Sequence, residues 1–574
     1  MAFQVSPGVL VKEIDATNVV PAVSTSIGGF SGQFNWGSVE EAILVSSENE
    51  LAEKFGSPDS DTAKHFLNAA SFLKYGNALR VVRVVQDDAR NATVGSTAIL
   101  IKNEIAYEAQ TFTEGNHGEW IARCPGKLGN AIGVDVCTAG ATDFSSWAFK
   151  DNFNKVPGTS QKAIDLGKNA ATFNDELHIV VYDRTGEITG TVNSVLEVYD
   201  SLSQLSDARS PEGTSLYYKE VINAQSEYIR WTAHDVTGGG LTDAGKTIAS
   251  GTNAVSGNVT APSSPVVLSY TLTGGVDGTA VVHTQVSTGL DVLADAETVD
   301  VNLLFASPDA NGEKNIADKL IAVAEARKDC LAFISPPVAD SQNLSASAAT
   351  SAVKVFAETL ASSSYATLDS GAVYVYDKYN DNYQYIGANG LIAGLCANTD
   401  QVADAWFSPA GVNRGQLKGV VKLAYNPNKA QRDELYKARV NPLVSFPGQG
   451  TMLFGDKTLL SRASAFDRIN VRRLFIAVEK AISTAAKAQL FEFNDEFTRA
   501  QFRNLLEPFL RDVKGRRGIT DFLVVCDDSN NPGSVVDANK FVADIFIKPA
   551  RSINFISLNF IATRTGVDFT EVAG

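Results

Sequence analysis

Residues 467–528 read DRINVRRLFIAVEKAISTAAKAQLFEFNDEFTRAQFRNLLEPFLRDVKGRRGITDFLVVCDD; after SNNPGSVVDANK, residues 541–574 read FVADIFIKPARSINFISLNFIATRTGVDFTEVAG. Leu474, Phe475, Val478 and Ile482 recur at helical spacing, as do Phe502, Leu505, Leu506, Leu510 and Val513. The spacing predicts two amphipathic helices, each burying one stripe. Thr498 with Gln501 three residues later is a capping box at the start of the second helix, where a hydroxyl and an amide satisfy backbone N–H groups the helix cannot pair. Gly515 and Gly518, around the basic run Lys514, Arg516 and Arg517, are expected to stop it, glycine taking the left-handed turn and the cations facing the carbonyl end. Strand character follows over 519–526, 541–547 and 553–562, and a last alternation, Val567 and Phe569, lies beyond Gly566. Such a terminal strand has no later element to cover it and needs a sheet edge, its own or a neighbour's.

The other end of the chain has the same character. In VLVKEI, residues 9–14, apolar and polar side chains alternate after Pro7-Gly8, and Val9, Val11 and Glu13 are expected to form a strand too short to stand alone. Residues 24–85 then read as α/β: STSIGGFSGQF, a strand at 42–45, helices at 49–55 and 62–75, and LRVVRVV as a buried strand. From 91 to 300 short alternating runs take over, among them ILIKNEIAYEAQTF, IGVDVCTA, LHIVVYD and PVVLSYTL, with a break expected at 194–206. The α/β pattern resumes with VDVNLLFAS, a helix at 313–327 and CLAFISPP, which together make a βαβ unit, and continues with a helix at 352–362 and the strand GAVYVYD. The expected organisation is a multidomain α/β and β chain. Its parts are an arm at 1–22, an α/β core of 23–90 with 299–425, β-rich insertions at 91–195 and 196–298, an α/β C-terminal domain at 426–562 and an arm at 563–574.

At 574 residues, with 44% hydrophobic and 20% charged side chains, the chain is too long for one core and has an ordinary globular composition. No apolar run reaches membrane length, and the N-terminus lacks the basic-then-apolar order of a secretory signal, so a cytoplasmic origin is expected. The five cysteines, Cys124, Cys137, Cys330, Cys396 and Cys526, are widely spaced without a CxxC pair, which argues against a disulfide framework and against structural zinc. From residue 425 onward 21 Lys and Arg face 17 Asp and Glu, whereas the rest of the chain has 28 against 48. The overall acidity argues against nucleic acid as partner, since phosphate contacts demand a concentrated basic face.

Chemistry-bearing motifs are few. Gly240-Leu-Thr-Asp-Ala-Gly245-Lys246-Thr247 satisfies GxxxxGK[ST], but the residues before it are too polar for a buried strand, and Gly251, Gly257 and two prolines forbid the helix that would hold phosphate. Asp309, Asp377 and Asp381 stand at strand ends without histidine, G-x-S-x-G or a metal-spaced cluster, and read as turn and helix-start residues. No catalytic residue, cofactor or metal is expected. An α/β hydrolase or nucleotide-dependent protein with a β-rich accessory domain is the competing class.

Residues 493–522 and 546–567 resemble the C-terminal domain of contractile tail sheath proteins of T4-like phages, and SPGVLVKEID resembles that family's N-terminal arm. Weaker matches are CPGKLGNAIGVDV and LTGGVDG. A specific one is WFSPAGVNRGQLKGV with residues 426–460, where Ser408-Pro-Ala-Gly411, Arg414-Gly415, Asn441-Pro442 and Gly448-Gln-Gly450-x4-Gly455 follow the family order. Phe454 and Asp456-Lys457 stand where the family often has Trp and Arg.

The resemblance implies a non-enzymatic virion protein, assembled in the host cytoplasm, that polymerises as stacked hexameric rings around a tail tube and contracts to drive the tube through the host envelope. Its implied partners are further copies of itself, the tube protein, and baseplate and tail terminator proteins, without nucleic acid or membrane insertion. Val9, Val11, Glu13, Val567 and Phe569 would be strands donated to neighbouring copies. Arg472, Arg473, Lys514, Arg516 and Arg517 are candidates to face an acidic tube.

Overall fold

A computed structural model describes residues 24–554 except 113, 139–140, 142, 166, 168, 172, 233–266 and 309–311. The described residues divide into two units, one of 24–402 with 409–467 and one of 403–408 with 468–554.

In the first unit a seven-stranded sheet runs in the order Val440–Asn441, Ala366–Asp369, Leu331–Ile334, Leu303–Ala306, Gly28–Gly32, Leu79–Arg83, Ala42–Val45. All neighbours are parallel except the last pair. The fifth strand in this order, Gly28–Gly32, is glycine-rich because helices and neighbouring strands press on it. A Cβ at Gly28 would lie 2.7 Å from Leu79 and 2.8 Å from Phe72 of the helix Ala63–Leu73, and one at Gly29 would meet Leu293 and Leu304 at 3.3 and 3.2 Å. Helices His283–Val292, Glu313–Arg327 and Ala346–Thr359 supply Val286, Leu290, Ile316, Leu320 and Val353 to the core shared with Leu304, Ala332 and Leu368. The predicted βαβ unit is present at the expected residues, Leu303–Ala306, Glu313–Arg327 and Leu331–Ile334.

The β-rich stretch differs from expectation in two ways. The expected break at 194–206 falls within a ten-residue strand, Ser194–Ser203, which is the edge of a four-stranded antiparallel sheet with Glu176–Asp183, Ile132–Thr138 and Val267–Thr271. Residues of both expected insertions, among them Ile132, Val134, Leu177, Leu202, Tyr218 and Leu272, share one core, so the boundary at 195 is replaced by a single packed body. Second, part of ILIKNEIAYEAQTF is the short helix Glu104–Glu108, because the Asn103 side chain accepts from the Ala106 N–H at 3.0 Å and caps it.

Two boundaries also move. The helix His283–Val292, placed with the insertion by its sequence, belongs to the α/β core. The C-terminal unit begins at Arg468 and not at 426, since Val440–Asn441 is an edge strand of the main sheet.

In the second unit the helices Ile469–Ala486 and Glu496–Gly515 pack with the antiparallel pair Ile519–Val525 and Asp544–Pro549. Leu474, Val478, Phe502, Leu506, Leu510, Val513, Ile519 and Val524 form its core. The long helix starts three residues earlier than the Thr498 box implies: Asp495 is the N-cap, accepting from the Thr498 N–H at 2.8 Å, with Glu496 in the first turn. Its end also differs. Gly515 is still helical, and the left-handed residue is Arg517 at φ 66°. Gly518 is required for close approach instead, since a Cβ there would lie 2.8 Å from Val513 Cγ1 and 3.0 Å from the Trp406 ring.

Candidate assembly surface

The pair Ile519–Val525 and Asp544–Pro549 is a sheet of two strands among the described residues, so each strand has one side paired and one side open. Phe522, Val524, Ile545 and Ile547 point into the core against the helix Glu496–Gly515. The alternate residues form an outer face: Leu523 lies opposite Phe546, at 57% and 59% exposure, with Asp521 opposite Lys548. Two strands alone are marginal in water, and open edges with an apolar outer face are a template for strand addition.

The basic residues named from the sequence separate into three kinds. Arg472 and Arg473 are buried in the first turn of Ile469–Ala486, where residues 469–474 are all buried, so neither is a freely exposed cation in the single chain. The helical stripe Leu474, Phe475, Val478, Ile482 gave no sign that the remaining faces of this turn are covered as well. Lys514 and Arg516 are exposed but engaged within their own unit. Lys514 pairs with Asp521 at 3.1 Å, and this hydrogen bond is the first cause holding the Asp521 carboxyl below its usual range. Arg516 pairs with Asp404 and, at 3.5 Å, with Asp512, and its guanidinium lies 5.0 Å from the Trp406 ring centroid. Arg517 is exposed. Val9, Val11, Glu13, Val567 and Phe569 lie outside the described residues.

One exposed feature escaped the sequence reading. Leu490, Phe491 and Phe493, between the two helices, and Phe497, in the first turn of the second, are 63%, 105%, 84% and 75% exposed. The signal was visible in LFEFNDEF, where four large apolar residues fall outside both helical stripes.

Of the strand-end carboxylates, Asp377 and Asp381 lie among the described residues. Asp377 is buried and accepts from the Tyr379 N–H at 2.9 Å, Asn380 Nδ2 at 2.8 Å and Gln384 Nε2 at 3.0 Å, and Asp381 sits in the adjoining turn at φ 46°. Asp309 and residues 240–247 lie outside the described residues. The described residues hold no cluster of three metal-ligating side chains and no helix long and apolar enough to cross a membrane. All five cysteines are buried thiols. Burial raises the Cys124, Cys137 and Cys526 thiols above their usual range, which disfavours the reactive thiolate.

The chain is similar to known proteins along its whole length. Family models match in three places: Tail sheath protein Gp18 domain III N-terminal region at 25–84, Phage tail sheath protein central domain at 284–459 and Phage tail sheath C-terminal domain at 461–563. They flank the β-rich body and meet within a few residues of the boundary between the two units. The chain is 33% identical to the tail sheath protein of Vibrio phage KVP40, with 99% of both chains covered, and 32% identical to that of Enterobacteria phage T4, again with 99% of both covered. Its fold is similar to the sheath tail protein from Listeria innocua, with TM-score 0.51 at 12% identity over 92% of this chain and 96% of that one. The sheath complex of an extracellular contractile injection system in the contracted state gives TM-score 0.50 at 13% identity over 98% and 99%. Full-length identity with the phage proteins, together with the three family matches in order, makes this chain a member of the contractile phage tail sheath protein family.

Proposed function

We propose that the chain is the structural, non-enzymatic subunit of a contractile sheath. Copies stack as hexameric rings around a tail tube, and contraction drives the tube through the host envelope for genome delivery. The observation that carries the reading is the two-stranded sheet Ile519–Val525 with Asp544–Pro549, open along both sides among the described residues. Arms at 1–22 and 563–574 would add strands to the sheets of different neighbours, Val9, Val11 and Glu13 from one end and Val567 and Phe569 from the other. Contacts of this heterologous kind repeat into rings or open helices instead of closing as dimers. Backbone ladders at the hairpin would hold the lattice while the larger bodies slide and re-pack, so an extended sheath can shorten without dissolving.

In this reading Arg517 of the C-terminal unit is the surviving candidate to face the tube. The further partners are baseplate and tail terminator proteins, and the site of action is the virion tail, after assembly in the host cytoplasm. Neither nucleotide nor nucleic acid takes part. Deleting residues 1–15 is expected to leave a soluble chain that does not polymerise, as seen by sedimentation and negative-stain imaging; normal tubes from the deleted chain would overturn the reading.

A further inference from the structure

The segment joining the helices Ile469–Ala486 and Glu496–Gly515 is both aromatic and acidic. Between and beside the exposed Leu490, Phe491, Phe493 and Phe497 stand Glu492, Asp495 and Glu496, all exposed, with no cation from 488 to 498. Phe491 holds φ 71°, a region that a bulky side chain rarely adopts, and its ring is turned wholly to solvent. Four such residues together exceed the scattered apolar exposure of an ordinary surface and mark a contact site.

The opposite chemistry lies at the far end of the same unit. Glu496 and Lys514 are separated along one helix by about 27 Å at 1.5 Å per residue. Beyond that end Arg517, Lys548 and Arg551 are exposed, while Asp521, opposite Lys548, is held by Lys514. Next to this basic group the outer hairpin face presents Leu523 and Phe546. The unit therefore carries an acidic aromatic pole and, at the other end, the basic side chains Lys548 and Arg551 beside an apolar floor, whose far side holds Asp544, engaged by Asn530 Nδ2 at 3.0 Å.

We propose that the 490–497 segment of one copy seats on the outer hairpin face of the next copy. Its phenyl rings cover Leu523 and Phe546, and Glu492 and Glu496 meet Lys548 and Arg551. The occupant is a second copy of this chain because the charge and the apolar surface that complement the segment are both present on it. Made head to tail, the contact leaves one pole free at each end and propagates. Strand addition at the hairpin edges leaves this face available, since added strands extend the sheet sideways.

The proposal rests on the chain polymerising, and the test separates the two. Glu492→Lys and Lys548→Glu, each shown by circular dichroism to fold, are expected singly to raise the concentration left unassembled at equilibrium roughly tenfold, the scale of a lost interfacial charge contact. Combined in one chain they are expected to restore assembly to within about twofold of the unsubstituted protein, the coupling that a direct contact gives. Phe491→Ser with Phe493→Ser should weaken assembly similarly, without rescue by Lys548→Glu. The inference is overturned if the unsubstituted chain polymerises but the double reversal is no better than the worse single one, or if losses occur only on tubes. A chain that never polymerises would instead remove the sheath reading itself.

Discussion

Asp369 ends the strand Ala366–Asp369 and is 2% exposed, and its partners are neutral: Ser335 Oγ–H donates to one oxygen and the Gly371 N–H to the other at 2.9 Å. Ser335 in turn accepts from the Asn389 N–H at 2.9 Å, which ties two strands to the start of the helix Asn389–Val402. Burial is the first cause that raises the Asp369 carboxyl to about 7. The folded chain therefore binds this proton more tightly than the unfolded chain, whose carboxyl titrates near 4. Its contribution to stability is full below about pH 4 and is lost as pH rises toward 7. Asp369→Asn keeps the shape without the charge: its Oδ1 still accepts from the Gly371 N–H, and its Nδ2 donates to Ser335 Oγ in place of the bond that hydroxyl donates to Asp369. It is expected to raise stability at pH 8 by up to about 4 kcal/mol, taking about 1.4 kcal/mol per pH unit, and to leave it unchanged near pH 4. Chemical denaturation at the two pH values checks this, and an equal effect at both would refute it. Nothing in GAVYVYD or its neighbours signalled such a residue, because a buried acid and a turn acid look alike in sequence.

The elements most legible in the sequence are those whose burial is one-sided. The helices at 313–327 and within 469–515 stood out because apolar residues recur on one face, and the run FVADIFI, whose strand Asp544–Pro549 alternates between exposed and half-buried residues, did so by period two. What was misread is where a local cue competes with tertiary context. Ser194–Ser203 looked like a break because its serines and acids lie on a solvent-washed edge strand. The Thr498 box yielded to Asp495, three residues upstream. Arg472 and Arg473 were assigned to a surface by charge alone, although the first turn that holds them is covered all round. At this scale the two faces of the hairpin and its helix should respond differently to substitution. Leu506, with no exposure, lies in the core of the C-terminal unit, so Leu506→Ala is expected to cost about 2–5 kcal/mol. Leu523→Ser on the outer face should change subunit stability by less than about 0.5 kcal/mol while impairing assembly. Denaturant titration of the unassembled subunit together with sedimentation of the polymer reads both effects.

Taken as a whole molecule, the chain is a subunit whose described surface includes unfinished structure: a hairpin without outer partners, an aromatic segment without cover, and a chemistry complementary to itself. The family could be recognised from motifs because glycine and proline positions such as Ser408-Pro-Ala-Gly411 and Gly448-Gln-Gly450 fix local backbone, and Gly411, Gly448 and Gly450 all hold positive φ. The assembly could not be recognised in the same way, since an open sheet edge is defined by what is missing beside it. The central claim is that strands from other copies complete the hairpin. Backbone hydrogen exchange over 519–525 and 544–549, compared between unassembled subunits and polymer, tests it most directly. The account predicts strong new protection along both strands on polymerisation, absent when residues 1–15 are deleted; equal exchange in the two states would contradict it.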